Sequence, residues 1–287
     1  MTSCFFVSDL HGDGQKYQKL LDAVRREMPK AVFFGGDLLP PGLGLFGSIG
    51  RAPANFIEEY LIPQFASTRE KLGDAYPRSF VIMGNDDPRV FESSLRQGEA
   101  IGVWEYVNQK KTRLGRFQIY GYSFVPPTPF LMKDWERYDV SRYVDPGCVS
   151  PEEGLRSVSA SDQEKRDSTI KDDLDRLLGD DDPREAVFLF HAPPHDSNLD
   201  RAALDGRTVE HVPLDVHVGS IAIRRFIEAR QPYLTLHGHV HECARLTGTW
   251  RDLIGRTPAF SAAHGGPELA LVRFDLENLD SATRQLI

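Results

Sequence analysis

No apolar stretch in the 287 residues approaches the roughly 20 needed to cross a bilayer, so a membrane-spanning role is excluded. Cysteine is scarce. Cys4, Cys148 and Cys243 are odd in number and far apart, which excludes a disulfide framework and a zinc knuckle. Positive charge is in deficit, with 34 Lys and Arg against 42 Asp and Glu, a formal net charge of −8. That balance argues against a general nucleic-acid coat and leaves only a small nucleotide among nucleic-acid partners. The first nine residues lack a charged region followed by a cleavable apolar core, so they read as a strand rather than a leader. Cytoplasm is the expected compartment. Hydrophobic residues at 40% and charged residues at 26% give an ordinary globular composition with enough apolar side chains for a substantial core. No internal repeat is evident, and the chain reads as one domain over residues 1–287.

Five apolar runs, at 4–7, 31–34, 80–83, 187–190 and 233–236, each end at a short polar motif. The motifs are Asp9-Leu10-His11, Gly35-Gly36-Asp37, Gly84-Asn85-Asp86, His191, and Gly238-His239-Val240-His241. Short continuous apolar runs bounded by glycine or charge predict buried strands. In open α/β sheets, ligands bind at the carboxyl ends of the strands. The five runs would therefore deliver carboxylates, imidazoles and one amide to a single edge. Carboxylate, imidazole and amide oxygen together suit Mn, Fe or Zn better than Ca.

Between the runs, residues 15–28 carry Tyr17, Leu20, Leu21 and Val24 at helical spacing, with Asp13 as the candidate cap and Pro29 as the stop. Residues 55–72 repeat that pattern, with Pro63 expected to kink the helix. The stretch 40–51, rich in glycine and proline, predicts a loop. Asp87-Pro88 reads as a helix cap followed by proline at the first helical position. The runs 104–107 and 117–122 read as the start of a second sheet. Residues 126–182 break the α/β rhythm, with a helix expected near 165–178. They read as a surface excursion, the alternative being a cap over the strand ends with Lys133, Trp135 and Arg137 holding a substrate. A further helix is expected over 220–229.

The five motifs, in this order, resemble those of the calcineurin-like metallophosphoesterases. The Gly-Asn-x-Asp form of the third motif, His191-Ala192-Pro193-Pro194 and Val218-Gly219-Ser220 resemble a prokaryotic branch of that family. The resemblance implies a four-layer α/β/β/α sandwich, with two central mixed β-sheets flanked by helices. It also implies a dinuclear centre in which Asp9, His11 and His241 hold one divalent ion. Asn85, His191 and His239 would hold the second, and Asp37 would bridge them. Mn is the first expectation, with Fe, Zn or Mg as alternatives. A water bridging the ions would ionise near neutral pH and attack phosphorus in line.

The implied activity is hydrolysis of a small phosphate ester, with phosphodiesters favoured over phosphomonoesters. A metal-binding scaffold without catalysis is the competing reading. Asp37 and Asn85 are the expected catalytic residues among the ligands. Many relatives carry histidine after Gly-Asn, where it contacts phosphate and assists the leaving group; here the residue is Asp86. We read Asp86 as facing away and favouring a helix start, the alternative being a carboxylate paired with Arg89. His217 and His264 then become candidates for the missing acid. His195 shares their potential to touch substrate, and His237 reads as structural.

Overall fold

The computed structural model describes residues 2–40 and 55–287. Apart from Pro40, the loop expected at 40–51 lies outside these residues. The chain begins with β1 (Ser3–Val7), α1 (Gly14–Glu27) and β2 (Ala31–Gly35). A π-helical turn (Ile57–Leu61) leads into α2 (Ile62–Leu72), followed by β3 (Arg78–Ile82) and α3 (Glu92–Ala100). Next come β4 (Glu105–Tyr106), β5 (Lys110–Leu114), β6 (Phe117–Tyr122), α4 (Asp162–Asp167), α5 (Ile170–Leu178) and β7 (Ala186–Phe190). A small hairpin of β8 (Thr208–Val209) and β9 (Val212–Pro213) precedes α6 (Ile221–Arg230), β10 (Leu234–His237) and α7 (Cys243–Thr247). The last strands are β11 (Arg251–Ile254), β12 (Thr257–Ser261), β13 (Ala270–Asp275) and β14 (Asn278–Leu286).

Two six-stranded mixed sheets form the centre, in the orders β14-β13-β1-β2-β3-β4 and β11-β12-β10-β7-β6-β5. β1, β2 and β3 run parallel in the first, and β6, β7 and β10 run parallel in the second. Alternation of side chains across each strand explains why the runs are apolar throughout. Phe6, Phe33, Phe80, Val187, Leu189 and Leu236 meet between the sheets. Their neighbours Phe5, Phe34, Val81, Phe188 and Phe190 face outward, under side chains such as Tyr17, Leu20, Phe65, Ile170 and Phe226 of the helices. Both faces of each sheet are thus buried, which is the sandwich that the motif order implied.

The local signals act largely as their chemistry dictates. Asp13 caps α1, accepting from the Gln15 and Lys16 backbone N–H groups, and Met28 ends it in the left-handed conformation. Pro63 sits in the first turn of α2, directly after the π-helical turn. A proline ring cannot follow an unbroken helix, and the widened turn absorbs it. The helix expected near 165–178 is two helices, each with its own cap, Ser161 and Thr169.

One expectation and one alternative fail. The run 104–107 does not open the second sheet, because β4 pairs with β3 at the edge of the first. Periodicity marks a strand but carries no information about its partner. Nor are Lys133, Trp135 and Arg137 available to a substrate: Lys133 and Trp135 are 0% exposed, and Arg137 is buried. Lys133 Nζ donates to Glu136 Oε2 at 2.5 Å, while Trp135 Nε1 donates to the Asp87 carbonyl at 2.8 Å. Asp139, from the same region, accepts from Ser220 Oγ at 2.5 Å and the Ile221 N–H at 2.6 Å, binding 126–182 to the start of α6.

Candidate metal centre

The loops after β1, β2, β3, β7 and β10 meet at one edge, where backbone bonds fasten them together. The Asp9 N–H donates to Gly36 O at 3.0 Å, and the His11 N–H to Asp37 O at 2.9 Å. The Gly238 N–H donates to His191 O at 2.9 Å, joining the two loops of the second sheet. Asp9, His11, Asp37 and His239 all adopt positive φ, at 58°, 46°, 51° and 76°. Non-glycine residues rarely adopt this conformation, and where they do the surrounding structure holds them against strain. Space is equally tight. A methyl group at Gly84 would overlap Asp37 Oδ1, and one at Gly238 would overlap Ser8 Oγ.

Seven side chains converge here. One ligand atom from each of Asp9, His11, Asp37 and His241 lies within 4.8 Å of all the others, a group able to hold a metal ion. His11 Nε2 and His241 Nε2 stand 3.0 Å apart, and His241 Nε2 is 3.4 Å from Asp9 Oδ1. Donors bound to one ion at about 2.1 Å lie about 3.0–3.4 Å from each other, so the spacing fits. Asp37 Oδ2, 4.0 Å from His11 Nε2, also faces a second group: His191 Nε2 lies 3.3 Å from it and 3.0 Å from Asn85 Oδ1. His239 joins this second group through its ring, whose centroid is 5.2 Å from that of His191.

Hydrogen bonds behind the donors fix how they face. His191 Nδ1 donates to Gly35 O at 2.7 Å, which turns Nε2 toward Asp37 and Asn85. This is the arrangement that orients metal-binding histidines. Asp9 accepts the His239 N–H at 3.0 Å, and Asp37 Oδ1 accepts the Asp86 N–H at 2.8 Å. Burial disfavours charge on His191, yet the adjacent Asp37 carboxylate overrides it and raises the imidazole to about 10. The same contest, with Asp9 as partner, lifts His241 to about 9. His239 is pressed down to about 3 by burial and by His191. Burial also works to raise Asp9 and Asp37, but the histidines hold both below the usual carboxylate value. Buried carboxylates facing imidazoles, with no other cation among the described contacts, form a donor set matched to divalent metal.

Asp86 and Asp87 depart from their expected roles. Asp86 does not face away: Oδ1 accepts from Asn85 Nδ2 at 3.0 Å, and Oδ2 lies 3.8 Å from His11 Nδ1. Arg89 instead pairs with Glu164 at 2.8 Å and Glu92 at 3.6 Å. Burial and the Asp37 charge push Asp86 up to about 6. Asp87 caps no helix, because a 3-10 turn (Arg89–Phe91) precedes α3. Its carboxylate instead accepts from the Gly84, Leu38 and Leu39 N–H groups at 2.9, 3.0 and 2.8 Å. It thereby braces the second motif against the third, a role that Asp-Pro spacing could not reveal.

The remaining histidines lie outside this cluster of contacts. His237 is fully buried, with Nδ1 against Ala192 O at 2.9 Å and Nε2 against Thr235 Oγ1 at 2.8 Å. His217 Nδ1 bonds to Asp200 Oδ1 at 2.8 Å, and His195 Nε2 is 3.3 Å from Asp215 Oδ2. Asp200 is a buried hub that also accepts the Asp196, Ser197 and Gly219 N–H groups. No motif marks it, and its link to His217 spans 17 positions. His264 Nε2 lies 3.0 Å from Glu268 Oε2. The adjacent Gly265 is so close to His241 that an added Cβ would stand 3.3 Å from the His241 Cβ.

Two buried sheets that bring carboxylates and imidazoles to a common edge define a metal-binding α/β sandwich. Within that class, the chain belongs to the calcineurin-like phosphoesterase family, whose sequence pattern it matches over residues 3–243. The fold is similar to that of TT1561 of Thermus thermophilus, at 15% identity and a TM-score of 0.57, covering 99% of this chain and 98% of that one. It is also similar to a dimetal phosphatase from Danio rerio, at 13% identity and a TM-score of 0.50, covering 94% and 91%. No curated protein matches the sequence.

Proposed function

We propose that this protein hydrolyses phosphodiesters with two divalent ions. Asp9, His11 and His241 hold one ion, Asn85, His191 and His239 the other, and Asp37 is shared. The observation that carries the proposal is the convergence of two donor groups on Asp37, whose Oδ2 neighbours both His11 and His191, at spacings an ion would occupy. The ions, Mn first with Fe, Zn or Mg as alternatives, supply charge for the phosphoryl oxygens and ease ionisation of water near neutral pH. Asp37 holds the two groups in register because both its oxygens are engaged, one by the Asp86 N–H and one beside His191. Asn85 contributes an oxygen without adding negative charge.

The preference for diesters follows from Asp86, whose carboxylate lies beside donors of both groups. A monoester arrives as a dianion and meets that charge more severely than a diester monoanion. Proton delivery to the leaving alcohol is assigned to His217, with His264 as the alternative. Asp200 bonds Nδ1 of His217 and fixes the ring, with Nε2 3.8 Å from Asp196 Oδ1. The loop bearing His217 packs through Val218 and Ala202 on Val240 and Cys243, beside the last motif. Region 126–182 belongs to the same single domain and braces this loop through Asp139. Three free cysteines fit a reducing compartment, the cytoplasm, and no helix among the described residues is long and apolar enough to cross a membrane.

The test is turnover of a chromogenic phosphodiester and its matching monoester by metal-stripped protein. Mn, Fe(II), Zn and Mg are added back singly, with Asp37→Ala as control. Diester hydrolysis that requires both metal and Asp37 supports the proposal. Monoester preference overturns the substrate class. Absence of turnover of either despite bound metal leaves a narrow substrate range or a metal-bound scaffold. His217→Ala should slow substrates with poor leaving groups by about 100-fold or more; equal rates for such substrates in both His217→Ala and His264→Ala refute the acid assignment.

A further inference from the structure

We infer that Asp86 is a positioning residue that locks His11 and Asn85, one donor from each group, in their metal-facing orientations; the inference rests on the proposed two-metal site. His11 turns Nε2 inward, 3.0 Å from His241 Nε2. Its Nδ1 points the other way, buried and without a hydrogen-bond partner. Asp86 Oδ2 stands 3.8 Å from that nitrogen, about 1 Å beyond hydrogen-bond distance. Asp86 Oδ1 meanwhile accepts from Asn85 Nδ2 at 3.0 Å, which turns the amide oxygen of Asn85 toward His191. The Asp86 backbone N–H completes the set by donating to Asp37 Oδ1 at 2.8 Å. One residue therefore touches the shared carboxylate and lies beside a donor from each group.

The physical reason is the second nitrogen of a metal-binding imidazole. With Nε2 given to an ion, Nδ1 carries the proton, and the ring becomes a stronger donor that needs an acceptor. His191 has one in Gly35 O at 2.7 Å. Among the described residues, His11 has no backbone carbonyl in that role, and Asp86 is the carboxylate within 4 Å of Nδ1. To supply that bond, Asp86 Oδ2 would have to close about 1 Å, with Oδ1 already taken up by Asn85 Nδ2 at 3.0 Å. Asparagine at this position would offer one oxygen where aspartate offers two, so it could serve His11 or Asn85 but not both.

The experiment titrates Mn(II) into metal-stripped wild type, Asp86→Ala and Asp86→Asn by calorimetry, and records the visible spectrum of each after Co(II) substitution. Melting temperatures of the metal-free proteins report whether each variant folds. Asp86→Ala should weaken Mn(II) binding about 10- to 100-fold and shift the Co(II) bands, with Asp86→Asn falling between it and wild type. If Asp86→Ala does not fold, Asp86→Asn carries the test. Wild-type affinity and an unchanged Co(II) spectrum in the folded variant overturn the inference and leave the proposed function standing. A wild-type chain that takes up no ion overturns both.

Discussion

The strand-end cluster and the 126–182 region are both dense in buried charge, yet they resolve it in opposite ways. In the second, each charge closes on a partner. Lys133 and Glu136 are both fully enclosed and face each other, while Glu136 also takes the Thr128 hydroxyl at 2.6 Å and N–H at 2.8 Å. Arg137 pairs with Asp173, which also accepts the Tyr122 hydroxyl at 2.7 Å. At the strand ends the charges crowd together instead: His191 and His241 each face a carboxylate, Asp37 at 3.3 Å and Asp9 at 3.4 Å, yet His241 Nε2 also stands 3.0 Å from His11 Nε2. Buried charge alone does not mark a site. What marks one is a set of lone pairs aimed at a shared point and held there by backbone bonds from behind.

The largest expected effect comes from removing the shared carboxylate. Asp37→Ala should lower metal-dependent turnover by far more than about 100-fold, the upper range for residues that merely support ligands, while the protein stays folded. Retained turnover would place the site elsewhere. The opposite pattern is expected of Lys133→Ala, which leaves Glu136 buried without its partner. Stability in denaturant should fall by about 3–5 kcal/mol, with Mn(II) affinity in the folded protein unchanged. A double replacement, Lys133→Met with Glu136→Leu, should recover most of that loss; failure to do so would show that 126–182 needs the ion pair itself.

A smaller effect is expected from crowding the strand ends. Gly84→Ala places a methyl on Asp37 Oδ1 and near the His191 ring, so it should weaken metal binding more than it lowers the melting temperature. The reverse ranking would make Gly84 a folding residue first. The mildest test is pH. His191 and His241 sit at about 10 and 9 without metal, so both carry protons at pH 7 and must lose them to bind an ion through Nε2. Metal uptake at pH 7 should release about two protons, measurable by calorimetry in buffers of different ionisation enthalpy, and affinity should climb toward about pH 9. The metal-free protein should behave oppositely. Both folded values lie above the unfolded one, so their stabilising share is complete below about 6.5 and is lost as pH rises through about 9 to about 10. Uptake without proton release would remove the ion pairs of His191 and His241 from this account.

The sequence alone determined the strands and their polar ends, while the sandwich came only through the family resemblance of the motif order. Strands and ends are written in neighbouring residues: an apolar run fixes a strand buried on both faces, and the motif sits where that strand stops. The cap at Asp13 was legible for the same reason, since a cap acts within about three residues, whereas the capping role of Ser220, expected only as the first residue of a helix, emerged with the fold. Tertiary structure decided the rest. Asp87 binds Leu38 and Leu39 from 49 and 48 positions away, and β4 pairs back with β3 rather than opening the second sheet with the strands that follow it. The aim of Asp86, between His11 and Asn85, depends on two loops brought together by the first sheet. Sequence spacing sets what a side chain is and which element bears it. Which partner it faces is fixed by packing, where contacts between distant segments outweigh local preference.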